Sequence, residues 1–522
     1  MNGAESLVRS LIDNGVEVCF ANPGTSEMHF VAALDKVFGL RCILGLHETV
    51  VTGAADGYGR MAGKPAVTLL HTGPGLANGL SGLHNARKAW TPIVNVVGEH
   101  ALDHIEYDAP LTSDIQAIAA PMSHWVSTPS ESGSLASAGA EAIRQASAHP
   151  GHIATLILPA NTAWDSVDDG VVPVACSEPL SANVVTPEHI NALAHTLMSA
   201  SANGEGICFV LGGHCLHTEA LELADKIAQR CNASLLAETF KSRFQRGAGR
   251  VSVVEVPYPI DLAIKMLSPF KHVVTVCAKA PVGFFAYPDK PSKLYPEDAR
   301  LHGLATAQDD GIRALHDLAN ALGAAELTPR LQVLEKHDEP EDAPLSANSI
   351  GPVLANRLPA EAIVVDEAIT SGVSAANCTK SSAAHDWLEV CGGSIGGGMP
   401  ISVGAAIACP DRKVINLQAD GSGMYSVQSL WTQARENLNI TTIVFANSSY
   451  AILKHELDNV QAVSGRVAMD MMELDRPTLN WVAMATGMGV EAKRATTVNE
   501  FRETLELALA HNGPFLIEAV IP

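Results

Sequence analysis

Apolar and polar positions follow two periods along the chain. Near its C-terminal end residues 414–417 form a short apolar run that stops at Asp420-Gly421. Val427, Leu430, Trp431 and Ala434 then recur at helical spacing, and residues 440–445 are apolar again before Asn447-Ser448-Ser449-Tyr450. Short apolar runs bounded by turn residues predict buried strands, and the helical period between them predicts the crossover of a parallel βαβ unit. The same rhythm opens the chain. Residues 5–14 predict a helix, and 16–20 a strand followed by Asn22-Pro23-Gly24-Thr25. A second strand from Cys42 ends at His47-Glu48, and residues 50–59 predict a helix rich in Gly and Ala, able to approach its neighbours closely. Strand 66–70 then ends at His71-Thr72-Gly73-Pro74-Gly75, and 93–97 predicts a further strand.

Two stretches break the rhythm. Residues 165–187 shift to Asp, Pro and Ser, and 327–348 to Glu, Asp, Pro and Leu, as linkers do. Between them lie strand 207–211, a Gly212-Gly213 turn, helix 220–230 and strands 234–236 and 273–276. After the second linker come a helix at 351–357, strand 362–365, Asp366-Glu367 and Cys391-Gly392-Gly393-Ser394-Ile395-Gly396. The fold class is α/β, with three doubly wound parallel-sheet domains over residues 1–170, 188–326 and 346–522. The first and third share a plan in which a small-residue helix, Gly53-Ala54-Ala55 or Gly404-Ala405-Ala406, precedes an apolar strand ending at a glycine turn.

Composition agrees with an enzyme of this class: 47% hydrophobic and 17% charged residues, with 42 Gly and 29 Pro, suit a chain of 522 residues with large cores and many tight turns. A net charge of −22 opposes non-specific approach to nucleic acid or anionic membrane, and neither is expected as a partner. No apolar run approaches the length of a membrane span and no signal-like segment opens the chain, so a cytoplasmic location is expected. The ten cysteines form no C-x-x-C pair, and Cys42, Cys208 and Cys277 read as small buried hydrophobes.

Candidate chemistry sits at the strand ends. Asp420 and Asn447 fall just beyond neighbouring strands, where open parallel sheets bind ligands. One carboxylate, one amide oxygen and the main chain of Ser449 suit Mg²⁺, which prefers oxygen ligands and shares its shell with phosphate. Taken singly, Asp-Gly is an ordinary turn and Asn a helix cap. Glu48 ends a strand and opens a helix, a place an acid also takes for the helix dipole alone.

Asp420-Gly421-Ser422 with Asn447 and Tyr450, preceded in order by Asn22-Pro23-Gly24-Thr25, Glu48, His71 before Gly-x-Gly and residues 393–400, resembles the thiamin-diphosphate family of benzoylformate decarboxylase and acetohydroxyacid (acetolactate) synthase, with the decarboxylase branch nearest in motif. The resemblance spans the whole length. It implies an N-terminal domain for the cofactor's aminopyrimidine, a central domain, and a C-terminal domain for its diphosphate and Mg²⁺. The cofactor would lie between two subunits, making a homodimer the minimum and a homotetramer the expectation. Glu48 would bond the pyrimidine nitrogen and drive the opposite amino group to its imino form, which removes the thiazolium C2 proton. Ile395 would wedge beneath the bent cofactor and Gly393 would offer its carbonyl to the amino group. Asp420, Asn447 and Ser449 would hold Mg²⁺, with Gly421, Ser422, Thr370, Ser371 and Tyr450 placed for cofactor contacts. His71 would shuttle a proton and Thr25 would hold the substrate carboxylate.

The implied reaction is non-oxidative decarboxylation of a 2-oxo acid through a C2-carbanion and enamine, the enamine being protonated or, alternatively, captured by a second carbonyl as in a synthase. The branch with benzoylformate decarboxylase keeps a second histidine late in the central domain, where this chain reads Gly283-Phe284-Phe285-Ala286-Tyr287-Pro288, so carboligation gains weight. Phe284, Phe285, Leu111, Ile452 and Leu453 are candidates for an apolar substrate pocket or for plain core. The Gly212-Gly213 turn lacks a full dinucleotide fingerprint, and FAD is not expected. A cofactor-binding relative without turnover is the remaining class, against which Glu48, Asp420 and Asn447 all argue.

Overall fold

The computed structural model describes residues 1–167 and 174–522. Residues 168–173, with the end of the 1–170 unit and part of the 165–187 linker, lie outside the described residues. The first sheet comprises β1 (Val18–Asn22), β2 (Arg41–Leu44), β3 (Ala66–Leu70), β4 (Ile93–Glu99), β5 (Trp125–Ser127) and β6 (Ile153–Pro159), ordered β2-β1-β3-β4-β6-β5. The central region supplies β7 (Ile207–Leu211), β8 (Ser234–Ala237), β9 (Phe244–Arg246), β10 (Val254–Glu255), β11 (His272–Val276) and β12 (Arg300–Ala305). Its sheet runs β10-β8-β7-β11-β12, and β9 leaves to join the third. That third sheet adds β13 (Ala362–Glu367), β14 (His385–Glu389), β15 (Val414–Ala419), β16 (Ile440–Ala446), β17 (Glu491–Ala495) and β18 (Phe515–Val520), ordered β17-β18-β16-β15-β13-β14-β9. All pairings are parallel except β9 with β14, so the α/β class with three parallel-dominated sheets is the one found.

Burial on both faces explains the continuous apolar runs: all five residues of β3 and all five of β7 are buried. In each sheet the chain leaves its first strand to one side and returns on the other. The reversals fall between β1 and β3, β7 and β11, and β13 and β15, and these are the crevices where open sheets take ligands.

The helix Glu48–Ala62 crosses the helix Gly398–Ala408 with almost no space between backbones. A Cβ on Gly57 would lie 2.0 Å from the Ile401 carbonyl, and one on Gly404 would lie 1.9 Å from that of Ala54. The two small-residue helices that look like counterparts in sequence are therefore each other's packing partners. Val51, Tyr58, Ile363, Val365 and Ile401 share one core across this contact, while Phe244, Trp387 and Ile350 join the central and third units.

Asp386, buried in β14, fastens the central segment to the third sheet by accepting from Arg243 (2.8 Å) and Arg412 (2.5 Å). Burial alone would push its carboxyl up, but the two guanidinium groups outweigh it and hold the group below the ordinary carboxylate range. Its stabilisation is thus complete above the unfolded pKa of about 3.9 and is lost as pH falls through the lower folded value. Asp386→Asn is expected to cost about 3 kcal/mol at pH 7, as when one partner of a buried pair is removed. In urea unfolding the gap from wild type should hold down to about pH 4 and shrink below it; a gap that grows on acidification would contradict the assignment.

Candidate functional site

Ala419 and Phe445 are paired across β15 and β16, so Asp420 and Asn447 leave the sheet side by side. Asp420 is buried; its Oδ1 accepts from the Gly421 amide (2.8 Å) and its Oδ2 from the Ser448 amide (2.6 Å). Burial raises the pKa of this carboxyl, against the pull of those amides. Asn447 Oδ1 accepts from the Ser449 amide at 3.0 Å, across Ser448, whose φ of +54° turns the backbone back on itself. Each of these side-chain oxygens keeps lone-pair capacity after its one amide bond, and together they fit a hard, oxygen-seeking cation.

Around this turn, the Tyr450 ring covers Gly421, where a Cβ would meet it at 2.4 Å. The Ser422 hydroxyl faces inward and accepts from Gln418 Nε2 at 2.7 Å. Thr370 and Ser371 lie in the turn after β13, which Ile369 enters at φ +53°.

Glu367, the last residue of β13, went unassigned in the sequence, yet it organises the glycine loop. Its Oε1 accepts from the Gly396 amide (2.6 Å), its Oε2 from the Gly398 amide (2.7 Å) and Gln418 Nε2 (2.9 Å). Burial pushes this carboxyl up too. An acid ending a buried apolar strand was the available signal, the same one that singled out Glu48.

Glu48 opens its helix while buried, and its Oε2 accepts from Asn78 Nδ2 at 3.0 Å. A Cβ on Gly75, in the first turn of the helix Thr72–Lys88 that His71 caps, would sit 3.3 Å from the other oxygen, so this glycine leaves that side of the carboxylate clear. Gly393 at φ +71° and the half-buried Ile395 belong to a loop that the first domain grips. Asn85 donates to the Ser394 carbonyl (2.8 Å) and accepts from its amide (3.2 Å), and His84 Nε2 lies 3.1 Å from the Gly392 carbonyl. Among the described residues no hydrogen bond or shared partner joins Glu48 to Asp420 within one chain.

His71 and Thr25 both line the space at the β1/β3 reversal. His71 Nδ1 lies 3.0 Å from Oε2 of the fully buried Glu27 and 3.1 Å from Ser26 Oγ, while Ser26 also bonds Glu27. Thr72 is fully buried at φ +49°, a costly conformation for a β-branched residue, and fixes the direction in which His71 leaves β3. A cavity of about 420 Å³ opens here, lined by Thr25, Ser26, His71, His100, His104 and Leu111 among others. Thr25 stands in a motif legible in the sequence, whereas Ser26 and Glu27 beside it carry no signal of their own, and neither do His100 and His104, which follow β4 in a segment without periodic pattern. Thus the segment 283–288 has no histidine, but the cavity holds two imidazoles besides His71. His100 Nε2 and the hydroxyls of Thr72, Thr112 and Ser113 are buried without a protein partner, the mark of a region shaped for polar occupants.

The apolar candidates divide into two places. Leu111 shares the His71 cavity. Phe284 instead packs on Phe240 (5.3 Å), Tyr258 (5.6 Å) and Phe285 (4.8 Å), with its ring tip 2.6 Å from where a Cβ of Gly393 would be. Tyr258 donates to Glu456 (3.3 Å) on the helix Ala451–Asn459, which carries Ile452 and Leu453. Phe284, Phe285 and Leu453 are all exposed in the single chain.

Oxygen donors at the ends of two neighbouring strands, a buried glutamate beside a glycine loop and a cavity lined by histidines are what a cofactor-dependent α/β enzyme would need. Comparison with known proteins gives the family. Residues 1–118 match the thiamine pyrophosphate enzyme N-terminal TPP binding domain, and residues 370–519 match the C-terminal TPP binding domain. IlvX of Mycobacterium tuberculosis, which carries the name of an acetolactate synthase large subunit, is 46% identical over 100% of this chain and 99% of its own length. Benzoylformate decarboxylase of Pseudomonas aeruginosa is 28% identical over 97% of this chain and 96% of its own. The thiamine diphosphate-dependent 4-hydroxybenzoylformate decarboxylase of Rhodococcus jostii RHA1 superposes with a TM-score of 0.86 at 25% identity, covering 100% of this chain and 99% of that one. The chain belongs to the thiamine pyrophosphate enzyme family.

Proposed function

We propose that this protein decarboxylates a 2-oxo acid with an apolar, aromatic-sized side chain, using thiamin diphosphate and Mg²⁺, and releases an aldehyde by protonation. When bound, the cofactor supplies a carbon nucleophile and an electron sink. Asp420, Asn447 and the Ser449 main chain hold the metal, and Gly421, Ser422, Thr370, Ser371 and Tyr450 surround the phosphates. Glu48 faces the pyrimidine, where its carboxyl can share a proton with the ring nitrogen. Gly393 and Ile395 set the cofactor's shape, with Glu367 and Asn85 fixing the loop that carries them. Thr25 takes the substrate carboxylate.

The observation that carries the decarboxylase reading is the histidine cavity. His71, oriented by Glu27, and His100 and His104 bring three imidazoles to the space that Thr25 and Leu111 share. Imidazole moves protons near neutral pH, and release as an aldehyde needs a proton delivered to the enamine carbon, whereas capture by a second carbonyl needs one only at the new alkoxide oxygen. Phe284 beside Gly393 supports an aromatic-sized acyl group, and it meets Leu111 in one site only if that site is built from two chains. A homodimer is therefore the smallest active unit proposed.

The second reading, carboligation as in an acetolactate synthase, is favoured by the name of the relative at 46% identity. Protein with Mg²⁺ and thiamin diphosphate should convert phenylglyoxylate to benzaldehyde and carbon dioxide faster than it consumes pyruvate. Acetolactate from pyruvate as the only product would reject the decarboxylase reading.

A further inference from the structure

The central sheet has its own reversal, between β7 and β11, and the proposed reaction uses nothing there. Three side chains with strong donor atoms meet at it. His214 and Cys215 lie in the short turn Gly213–Leu216 after β7, and Cys277 follows β11 at φ +53°. Cys215 Sγ is 3.4 Å from Cys277 Sγ, Cys277 Sγ is 3.6 Å from His214 Nε2, and all three donor atoms lie within 4.8 Å of one another. The helix Gly311–Ala321 starts directly over them. A Cβ on Gly311 would fall 2.4 Å from Cys215 Sγ, 2.5 Å from Cys277 Sγ and 3.1 Å from His214 Nε2, so any other residue there would push all three donors. Cys208 and Cys231 in the same domain are buried among apolar neighbours without such company.

We propose that His214, Cys215 and Cys277 form a binding site for zinc. Tetrahedral zinc with Zn–S of about 2.3 Å and Zn–N of about 2.0 Å spaces its ligands about 3.8 Å between sulfurs and about 3.5 Å from sulfur to nitrogen. The Cys215–Cys277 and Cys277–His214 separations differ from these by a few tenths of an ångström at most, and the third pair lies within 4.8 Å. Two thiolates balance both charges of the ion, the neutral imidazole adds a third donor, and both thiol protons leave on binding. Cys215 is fully buried whereas His214 is partly exposed, so the ion enters on the imidazole side, where the fourth position takes water. The ion clips the turn after β7 to the end of β11, at the base of the segment that carries Phe284 and Phe285 toward Gly393. The expectation that Cys277 is an inert buried hydrophobe is met in burial but not in surroundings; its partners, 62 and 63 residues away, could not be paired from sequence.

The test is titration of the reduced, chelator-treated full-length protein with Co²⁺, then Zn²⁺. One Co²⁺ per chain should bind with a thiolate-to-cobalt charge-transfer band and the visible absorption of a tetrahedral site, and one equivalent of Zn²⁺ should displace it. Cys277→Ser and His214→Gln should each weaken binding by at least about 10- to 100-fold, while Cys208→Ser, an equally buried control, should leave it intact. Zn²⁺ should raise the Tm of wild type and not of Cys277→Ser. Absence of the charge-transfer band in reduced wild type overturns the proposal, whether the two thiols are found free or recovered as a disulfide. So does a band that survives both Cys277→Ser and Cys215→Ser.

Discussion

Replacing Glu48 by glutamine is expected to lower kcat/KM for the 2-oxo acid by about 10²- to 10⁴-fold, the usual loss when a positioned acid–base group goes. Glutamine keeps the size of the side chain and can still accept from Asn78, which bonds Glu48 at 3.0 Å. Stability should therefore move by less than about 0.5–1 kcal/mol. Cofactor affinity should fall by no more than about tenfold, as for one hydrogen bond weakened from charged to neutral. Activity assayed at saturating cofactor, alongside a binding isotherm, separates the two effects. Unchanged turnover would remove Glu48 from the chemistry and leave it as an acid at a helix start.

The second large effect is at the other end of the cofactor. Asp420→Ala should weaken Mg²⁺-dependent binding of thiamin diphosphate by more than about 100-fold, beyond the 10- to 100-fold that loss of an outer-shell partner costs. It also strands the Gly421 and Ser448 amides that Asp420 satisfies, which adds about 1–3 kcal/mol of destabilisation. Asp420→Asn retains an acceptor for one amide and isolates the metal effect. Calorimetric titration of cofactor at fixed Mg²⁺ reads it. If Asp420→Asn binds cofactor like wild type at limiting Mg²⁺, the metal assignment fails.

Much of this arrangement was legible because parallel strands write themselves as apolar runs and their ends as turns. Asp420, Asn447 and His71 each close such a run and directly follow a strand in the structure, whereas β2 stops at Leu44 and Glu48 instead opens the next helix. Strand boundaries shifted outward by a residue or two, as for β4 and β15, where polar residues extend a buried strand. What the sequence could not show was who meets whom. Glu27 and His71 are 44 residues apart and join only because β1 and β3 are neighbours. Asn85 reaches Ser394 across 309 residues through packing of the first unit on the third. The β9 strand carries no long alternating pattern, and it is recruited by the edge of β14 and by Arg246 stacking 3.8 Å over the Trp387 ring. Backbone strain was equally hidden: Thr72, Cys277, Ile369 and Ser448 all take positive φ at strand ends, and none is a residue that announces it.

In the proposed dimer, Glu48 of one chain and Asp420 of the other act on the same cofactor. Differently tagged Glu48→Gln and Asp420→Ala chains, co-expressed and purified through both tags, test it directly. Each parent variant is inactive at the Mg²⁺ level chosen. In the hybrid dimer one of the two sites combines an intact Glu48 with an intact Asp420, so activity should return to about half that of wild type. A hybrid as inactive as its parents would contradict the claim and place both residues on a cofactor held within one chain.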